Sequence, residues 1–576
     1  MRLRTWLRAR SRLPIAGTST SVDEAPLSAQ LFTAEEMEQH GRLLAAGHGL
    51  THGRARDRLL RRLGDNERVL AETCALLAHS ADQQRRVTPA GEWLLDNFHL
   101  IEEEVRTAKR HLPPGYSREL PRIAVGANAG LPRVYDLALH AVAHGDSRLS
   151  RGSLTRFIAS YQTIKTLRLG ELWAVPIMLR LALIENLRRV ASRVAASMTQ
   201  RDLAGLWADR MIEVAERDPK SLILVVSDMA RSQPPMTAPF VAELSRRLHG
   251  RSTALALPLT WVEQHLAESH QTIEQLVKFE AQAQAAAQVS VSNSIGSLRL
   301  LASMDWREFV ETLSKVEQAL RHDPADVYAR MDFATRDSYR HAVERIARHV
   351  DAGAAAEATE AEVASAAVQL ARDAAAQPDC ATHLSHVGYY LVDAGRAQLE
   401  RAVAMRATLA HRMRRTVARG PLAWFAGAIL TTTLLLALLA LAIATHGFAT
   451  PLAALPVSAW STWIMVLAVA ATLISASQLA VAIVNWFAPL LAQPRALPRM
   501  DFSFGIPNGS RTLVAVPTML SSAQGIDALA EALEVRFLAN RDAHLHFALL
   551  TDFLDAPART QPGDEALLAA AREGIE

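Results

Sequence analysis

Two short segments near the carboxyl terminus end in residue types suited to hold a nucleotide. Thr551 and Asp552 follow an apolar run, and Pro517 and Thr518 follow a β-branched run. The carboxyl ends of neighbouring parallel strands meet at one edge of a sheet, where loops and helix amino-termini converge on ligands. We therefore predict that these four residues line a nucleotide crevice in which Asp552 contacts the ligand. The alternative interpretation makes Asp552 a helix cap or a turn residue.

The elements that must position these residues are predicted from the same stretch. Thr512–Val516 and His544–Leu550 have the composition of buried strands, so Thr551 and Asp552 should fall just past the second strand. Ile526–Leu538 between them has helical spacing, with Asp527 as its cap. Strand, loop, helix and strand open an α/β domain at residues 510–576. Since two strands do not complete an open sheet, we expect a truncated domain that belongs to a larger protein.

Histidines offer a second candidate site. His140 and His144 lie four residues apart on a predicted helix, with Asp146 close by, and all three side chains are metal-ligand types. A third ligand distant in the sequence is not evident, so packed or solvated histidines are the favoured interpretation. Cys74 and Cys380 fit no metal or disulfide spacing, which suits a reducing cytosol. The sequence therefore assigns no metal ligand in this chain.

Residues 420–492 are predicted to form a two-helix transmembrane hairpin. Its spans, about 422–445 and 461–485, are long enough to cross a hydrocarbon core of roughly 30 Å. No Asp, Glu, Lys or Arg occurs between Gly420 and Arg495, and charges inside a bilayer are costly. The alternative is a buried helical hairpin of a soluble protein.

Basic residues predict the orientation of this hairpin. The linker from His446 to Trp460 has no Lys or Arg, whereas arginines flank both spans: Arg412, Arg414, Arg415, Arg419, Arg495 and Arg499. By the positive-inside rule both flanks are cytoplasmic. The lipid bilayer is therefore a predicted partner of the hairpin. The long amino-terminal region and the α/β segment are both predicted to lie on the cytoplasmic side of the membrane.

The remaining residues fall into three predicted regions. Residues 1–32 form a basic, disordered tail, residues 33–419 a large cytoplasmic α-helical region, and residues 493–509 a linker. A net charge of +3, from 62 basic and 59 acidic residues, argues against nucleic-acid binding.

Three local patterns refine the helical region. One helix should end near His111, because Pro113-Pro114-Gly115 follows it, and another through Leu172–Val190 should be buried nearly all round. The Ala- and Glu-rich segment Asp351–Ala376 should be a weakly packed connector or an exposed helix.

Long runs of sequence carry a resemblance to a known family. They include Asn-Phe-His-Leu-Ile-Glu-Glu-Glu from Asn97, Gly-Glu-Leu-Trp-Ala-Val-Pro-Ile-Met-Leu-Arg from Gly170 and Leu-Glu-Val-Arg-Phe-Leu-Ala-Asn-Arg-Asp from Leu533. These runs look like cyclic β-1,2-glucan synthase, and the likeness extends from about Leu59 to Ile575. The resemblance implies a very large, multi-pass protein of the bacterial inner membrane. It also implies a GT-A-like glycosyltransferase domain that builds protein-attached β-1,2-glucan from UDP-glucose and then cyclises it.

The family's transferase motif matches this chain at one position. In that motif an Asp is followed by Asp-x-Asp, a further acid and Gln/Arg-x-x-Arg-Trp, and Asp552 resembles the first Asp. Asp555 lies three residues on and makes no Asp-x-Asp. The resemblance therefore implies that the Mg²⁺ or Mn²⁺ ligands and the catalytic residues lie beyond Glu576, so no catalytic residue is within this chain. Without metal and base, the chain alone should not catalyse transfer.

Two functions remain as interpretations. The favoured one is the amino-terminal part of a membrane glycosyltransferase, which transfers glucose from UDP-glucose to a growing β-1,2-glucan. Its partners would be UDP-glucose, the glucan and the remaining carboxy-terminal part of the synthase. The alternative is a non-catalytic, membrane-tethered helical scaffold or regulator of a glucan synthase.

Overall fold

A computed structural model describes residues 30–51, 58–113, 115–350, 360–378, 381–405, 420–447, 459–491 and 497–575. These residues are mainly helical, as predicted, with two small sheets. The chain divides into a first unit up to Gln318 and a second unit from Ala319. Most of the predicted tail, Cys380 and several predicted orientation signals lie outside the described residues: Arg412, Arg414, Arg415, Arg419 and Arg495. The predicted region boundaries stay predictions.

Helices dominate the chain up to residue 320. They are α1 (Ala34–Gly47), α2 (Leu59–Asp82), α3 (Pro89–Asp96), α4 (Phe98–His111), α5 (Arg133–His144), α6 (Arg151–Gln162), α7 (Leu169–Arg217), α8 (Leu222–Ser232), α9 (Ala238–Leu248), α10 (Ala256–Ala267), α11 (Ile273–Ser303), α12 (Trp306–Leu313) and α13 (Lys315–Leu320). Two short strands, β1 (Leu50–Thr51) and β2 (Arg122–Ile123), pair antiparallel.

Local sequence explains where several of these helices begin and end. Thr33 caps α1: its hydroxyl accepts from the Glu36 amide at 3.3 Å, and the Glu36 carboxylate accepts from the Thr33 amide at 2.7 Å. This reciprocal pair is a capping box. α3 begins with Pro89 behind the capping residue Thr88, where the missing amide costs no helical hydrogen bond. α4 ends at His111, as predicted from the prolines that follow.

α7 is the central helix of the first unit. It contacts α2, α5, α9 and α11, and the stretch predicted to be buried lies in its first half. Leu181, Ala182, Leu183 and Ile184 are each at most 4% exposed. Because four successive residues point around the whole helix, neighbours cover α7 on every side there. The prediction of a buried helix is confirmed.

The second unit contains further helices and a parallel strand pair. The helices are α14 (Phe333–Ala347), α15 (Glu360–Ala375), α16 (Val387–Val392), α17 (Arg396–Ala402), α18 (Pro421–Gly447), α19 (Ala459–Leu491), α20 (Ala523–Ala539) and α21 (Asp564–Glu573). The strands are β3 (Thr512–Leu520) and β4 (Leu545–Phe553).

The expectation of a weakly packed or exposed segment before residue 376 is wrong for its helical part. α15 buries Val363, Ala364, Ala367, Val368 and Ala371. These residues recur at spacings of three and four, which places them on one helix face. Small side chains therefore pack closely here, although the segment has few large apolar residues.

α18 and α19 are long and apolar enough to cross a membrane, by length and composition, over Pro421–Ala440 and Val466–Pro489. They pack against each other, and small residues such as Ala476 and Ala480 are buried. Most large apolar side chains remain outside: Leu435 is 67% exposed and Leu467 is 71% exposed. Contact between the two helices therefore covers only a small part of their apolar surface.

Candidate functional site

The predicted nucleotide residues lie at the carboxyl ends of β3 and β4. The two strands pair in parallel, with Thr518 opposite Thr551 and Pro517 opposite Leu550. α20 connects them, which gives the predicted order of strand, helix and strand. Both strands are longer than predicted. Asp552 is therefore the penultimate residue of β4 and not a loop residue just past it.

The four predicted residues divide between the two faces of this strand pair. Side chains alternate along a strand. Thr518 and Thr551 are half-buried on one face, whereas Pro517 and Asp552 are exposed on the other. The prediction of a single crevice lined by all four therefore needs a loop or ligand that reaches around the strand ends. The alternation of side chains along the strands places the four residues on two faces. The additional residues at the ends of both strands were not predicted.

The carboxylate of Asp552 is neither a helix cap nor part of a turn. Its Oδ1 accepts a hydrogen bond from the next amide, Phe553 N, at 2.8 Å. α20 is capped by Ser522, whose hydroxyl accepts from Gly525 N at 3.2 Å, and not by the predicted Asp527. The earlier start of the helix, at Ala523, places Asp527 inside it. The exposed carboxylate of Asp552 keeps acceptor sites open toward solvent.

One face of the strand pair is covered and the other is bare. Leu520, at the end of β3, is 2% exposed and packs with Ile526 of α20 and Ala571 of α21. On the opposite face Leu513 and Leu550 are each 64% exposed. An apolar strand face that remains open to water is a typical contact surface for another structural element.

Comparison with known proteins gives one clear relative. No family model matches the chain. The chain is 32% identical over 513 residues to the cyclic beta-(1,2)-glucan synthase NdvB of Rhizobium meliloti (strain 1021). This chain resembles cyclic β-1,2-glucan synthase. The match covers 89% of this chain and 17% of the length of that synthase, so it concerns a minor part of the larger protein.

The strand ends do not by themselves fit the divalent cation that a synthase of this kind is expected to use. Mg²⁺ takes oxygen ligands in near-octahedral geometry, commonly from one or two carboxylates together with phosphate oxygens and water. Among the described residues of β3 and β4, Asp552 is the only carboxylate.

The first unit holds a cluster of histidines that the sequence did not reveal as a group. Asp136, His140 and His144 lie at intervals of four on α5, and therefore on one helix face. His40 of α1 joins them: its Nε2 lies 3.0 Å from His140 Nδ1. One nitrogen from each of the three histidines lies within 4.8 Å of the others, and all three rings are half-buried.

His40 is the distant third residue of a metal-ligand type that the sequence did not reveal. Asp146, considered with His140 and His144, is instead directed to Asn293, whose amide nitrogen lies 3.3 Å from its carboxylate. The capping box at the start of α1 is a local signal in the sequence, and it indicates that His40 lies on a helix. Nothing local indicated that α1 would lie beside α5, because His40 and His140 are 100 residues apart.

The surroundings favour uncharged rings at His40 and His140. Burial, reinforced by the neighbouring His140 and His144, lowers the pKa of His40 to about 4. Burial likewise lowers the pKa of His140, although Asp136 opposes the shift. Burial alone would raise the pKa of Asp136, but hydrogen bonds from His48 and Asn128 and the nearby His140 hold it below its ordinary value. An ionised Asp136 thus lies beside the uncharged ring of His140.

Proposed function

We propose that this chain forms part of a membrane glycosyltransferase of the cyclic β-1,2-glucan synthase type. That enzyme would transfer glucose from UDP-glucose to a growing β-1,2-glucan. The observation that carries the proposal is the 32% identity over 513 residues, since chance rarely maintains such similarity over so long a stretch. The larger protein would supply the remaining parts of the enzyme.

The hairpin α18–α19 would anchor the chain in the bacterial inner membrane, with the amino-terminal helices in the cytoplasm. Exposed leucines such as Leu435 support this proposal, because hydrocarbon tails would cover them at no cost in hydration. Arg499 follows the second span, on the side where the positive-inside rule places basic residues. Cytoplasmic placement would give the strand pair access to UDP-glucose.

Asp552 would contact the sugar nucleotide at the carboxyl end of β4. Its exposed carboxylate at the end of the strand supports this role, since ligands of open parallel sheets bind at the carboxyl ends of the strands. The bare apolar face around Leu513 and Leu550 supports coverage of the strand pair by further residues. Those residues would also bring the Mg²⁺ or Mn²⁺ ligands and the catalytic groups, so the chain alone would be inactive.

The test is glucose transfer by the full-length synthase that contains this chain. Asp552→Asn keeps the side-chain shape and removes its charge, whereas Asp555→Asn is a matched control three residues away. Hydrogen bonds to charged groups contribute about 1.5–3 kcal/mol, so we expect Asp552→Asn to reduce transfer from radiolabelled UDP-glucose roughly 10- to 100-fold. The control should keep nearly full activity.

Two outcomes would contradict the proposal. Unchanged kinetics in Asp552→Asn would remove this residue from the nucleotide site. Turnover of UDP-glucose by the purified 576-residue chain would overturn its dependence on further residues. A chain that does not take part in transfer but raises the activity of a separate synthase would favour the scaffold or regulator.

A further inference from the structure

We propose that His40, His140 and His144 form a Zn²⁺ site that joins α1 to α5. The site lies in the first unit and does not depend on the proposed glycosyl transfer. Imidazole nitrogen is a preferred Zn²⁺ ligand, and three histidines with a water molecule in the fourth position are a known coordination set. One nitrogen of each ring already lies within 4.8 Å of the other two.

The distances suit a small tetrahedral ion. Two nitrogens at Zn–N distances of 2.0–2.1 Å in a tetrahedron are about 3.3 Å apart. His40 Nε2 and His140 Nδ1 are 3.0 Å apart, close to that separation. A modest ring rotation would bring the third nitrogen into place. A bound ion would then occupy the position where these two rings now share a proton.

Oxygen atoms outside the cluster lie beside two of the three rings. His144 Nδ1 lies 2.8 Å from the Gln30 carbonyl oxygen, which can only accept, so Nδ1 carries the proton and Nε2 keeps its lone pair. His140 Nε2 lies 3.6 Å from Asp136 Oδ2, beyond hydrogen-bond distance, but the negative charge of the carboxylate favours a proton on Nε2 and a lone pair on Nδ1. Metal-binding histidines typically donate their second N–H to a carboxylate or a carbonyl, as His144 does to the Gln30 carbonyl.

The carboxylate behind His140 is itself held in place. Asp136 Oδ2 lies 3.1 Å from His48 Nε2, and Asn128 Nδ2 donates to Asp136 Oδ1. His48 in turn lies 3.0 Å from the Tyr161 hydroxyl through Nδ1. These hydrogen bonds fix Asp136 beside the ring of His140. Half-burial of the three rings leaves a path for the ion and for a water ligand.

Packing alone is the competing explanation. The Phe32 ring stacks on His144 with centroids 4.0 Å apart, and the contact between His40 and His140 satisfies two nitrogens without any metal. If packing alone explains the cluster, the chain should not bind Zn²⁺ selectively, and hydrogen exchange in α1 should not depend on the ion. The experiment therefore measures both quantities.

The test uses the full chain in detergent, purified with a tag that contains no histidine and stripped with a chelator. Titration with Zn²⁺ followed by calorimetry and metal analysis should give one equivalent per chain. Mutating a residue that hydrogen-bonds to a metal ligand typically weakens metal binding roughly 10- to 100-fold. His40→Ala removes a ligand itself and should weaken Zn²⁺ binding by more than that. His99→Ala, an exposed histidine of α4, is the matched control and should bind as the unaltered chain does.

Hydrogen exchange of α1 provides a second measurement that does not require the variants to bind metal. Zn²⁺ should slow exchange in Ala34–Gly47 of the unaltered chain and of His99→Ala, but not of His40→Ala. Circular dichroism of the metal-free chains shows whether His40→Ala still folds. The proposal is refuted if the unaltered chain takes up no Zn²⁺, or if His40→Ala retains both the affinity and the protection.

Discussion

Replacing Glu185 by Gln should destabilise the first unit, because Glu185 is a buried anion shared by three arginines. Its side chain is 1% exposed. Oε1 accepts hydrogen bonds from Arg62 Nη2 at 2.8 Å and from Arg188 and Arg189, each at 3.1 Å. Oε2 accepts from Arg62 Nε at 3.0 Å and from Asn66 Nδ2 at 2.8 Å. Both oxygens are therefore fully used.

The expected loss follows from these contacts. Gln keeps the shape of Glu185 but removes the charge, and its amide NH₂ would face a guanidinium donor. Breaking a buried ion pair costs about 3–5 kcal/mol. The arginine side chains are between 14% and 33% exposed, so water offsets part of the loss. We expect the free energy of unfolding of the first unit to fall by about 3 kcal/mol.

Amide hydrogen exchange in α7 measures this loss within the full chain. Since about 1.4 kcal/mol corresponds to a factor of ten, exchange of the most protected α7 peptides should accelerate roughly 100-fold. Glu102→Gln is the control: Glu102 pairs with Arg106 at 3.6 Å, and these side chains are 51% and 69% exposed. Exposed pairs contribute about 0–1 kcal/mol. Equal acceleration in the two variants would refute the reasoning.

Two further predictions concern pH and the membrane. Burial alone would raise the pKa of Glu185, but hydrogen bonds and charges from Arg62 and Arg188 hold it well below its ordinary value of 4.5. A carboxyl with a depressed pKa stabilises the fold above its unfolded pKa, so stability in urea should decline as pH falls below 4.5, and less so in Glu185→Gln. An Arg at the centre of a membrane span raises the free energy of insertion by about 2.5–3.5 kcal/mol. Replacing both Leu435 and Leu438 by Arg should therefore reduce membrane insertion of α18, measured by glycosylation mapping. Replacing both by Ala should not reduce it. Equal insertion of both double variants would argue against a span.

Local patterns predicted the elements that depend on short stretches of chain. The apolar stretches of α18 and α19, the end of α4 at His111 and the strand–helix–strand order after residue 510 all depend on neighbouring residues. Their boundaries were less well predicted. Ser522, and not Asp527, caps α20, because the start of a helix depends on which side chain can reach a free amide.

The candidate site was predicted in composition but not in arrangement. Asp552 and Thr551 do lie at the end of β4, opposite the end of β3. The extra residues of both strands place Asp552 within the ladder and direct it away from Thr518 and Thr551. Successive side chains of a strand point to opposite faces, so Thr551 and Asp552 take opposite faces once β4 extends past them.

The sequence by itself determined the helical character of this chain, its apolar hairpin and its resemblance to a glucan synthase, because composition, periodicity and identity are properties of the linear chain. Tertiary structure alone decided that His40 meets His140 and that Glu185 binds the guanidinium of Arg62. These contacts join residues 100 and 123 positions apart. Such partners are chosen by which helix faces pack together, and the free energy of that packing is shared among many distant side chains.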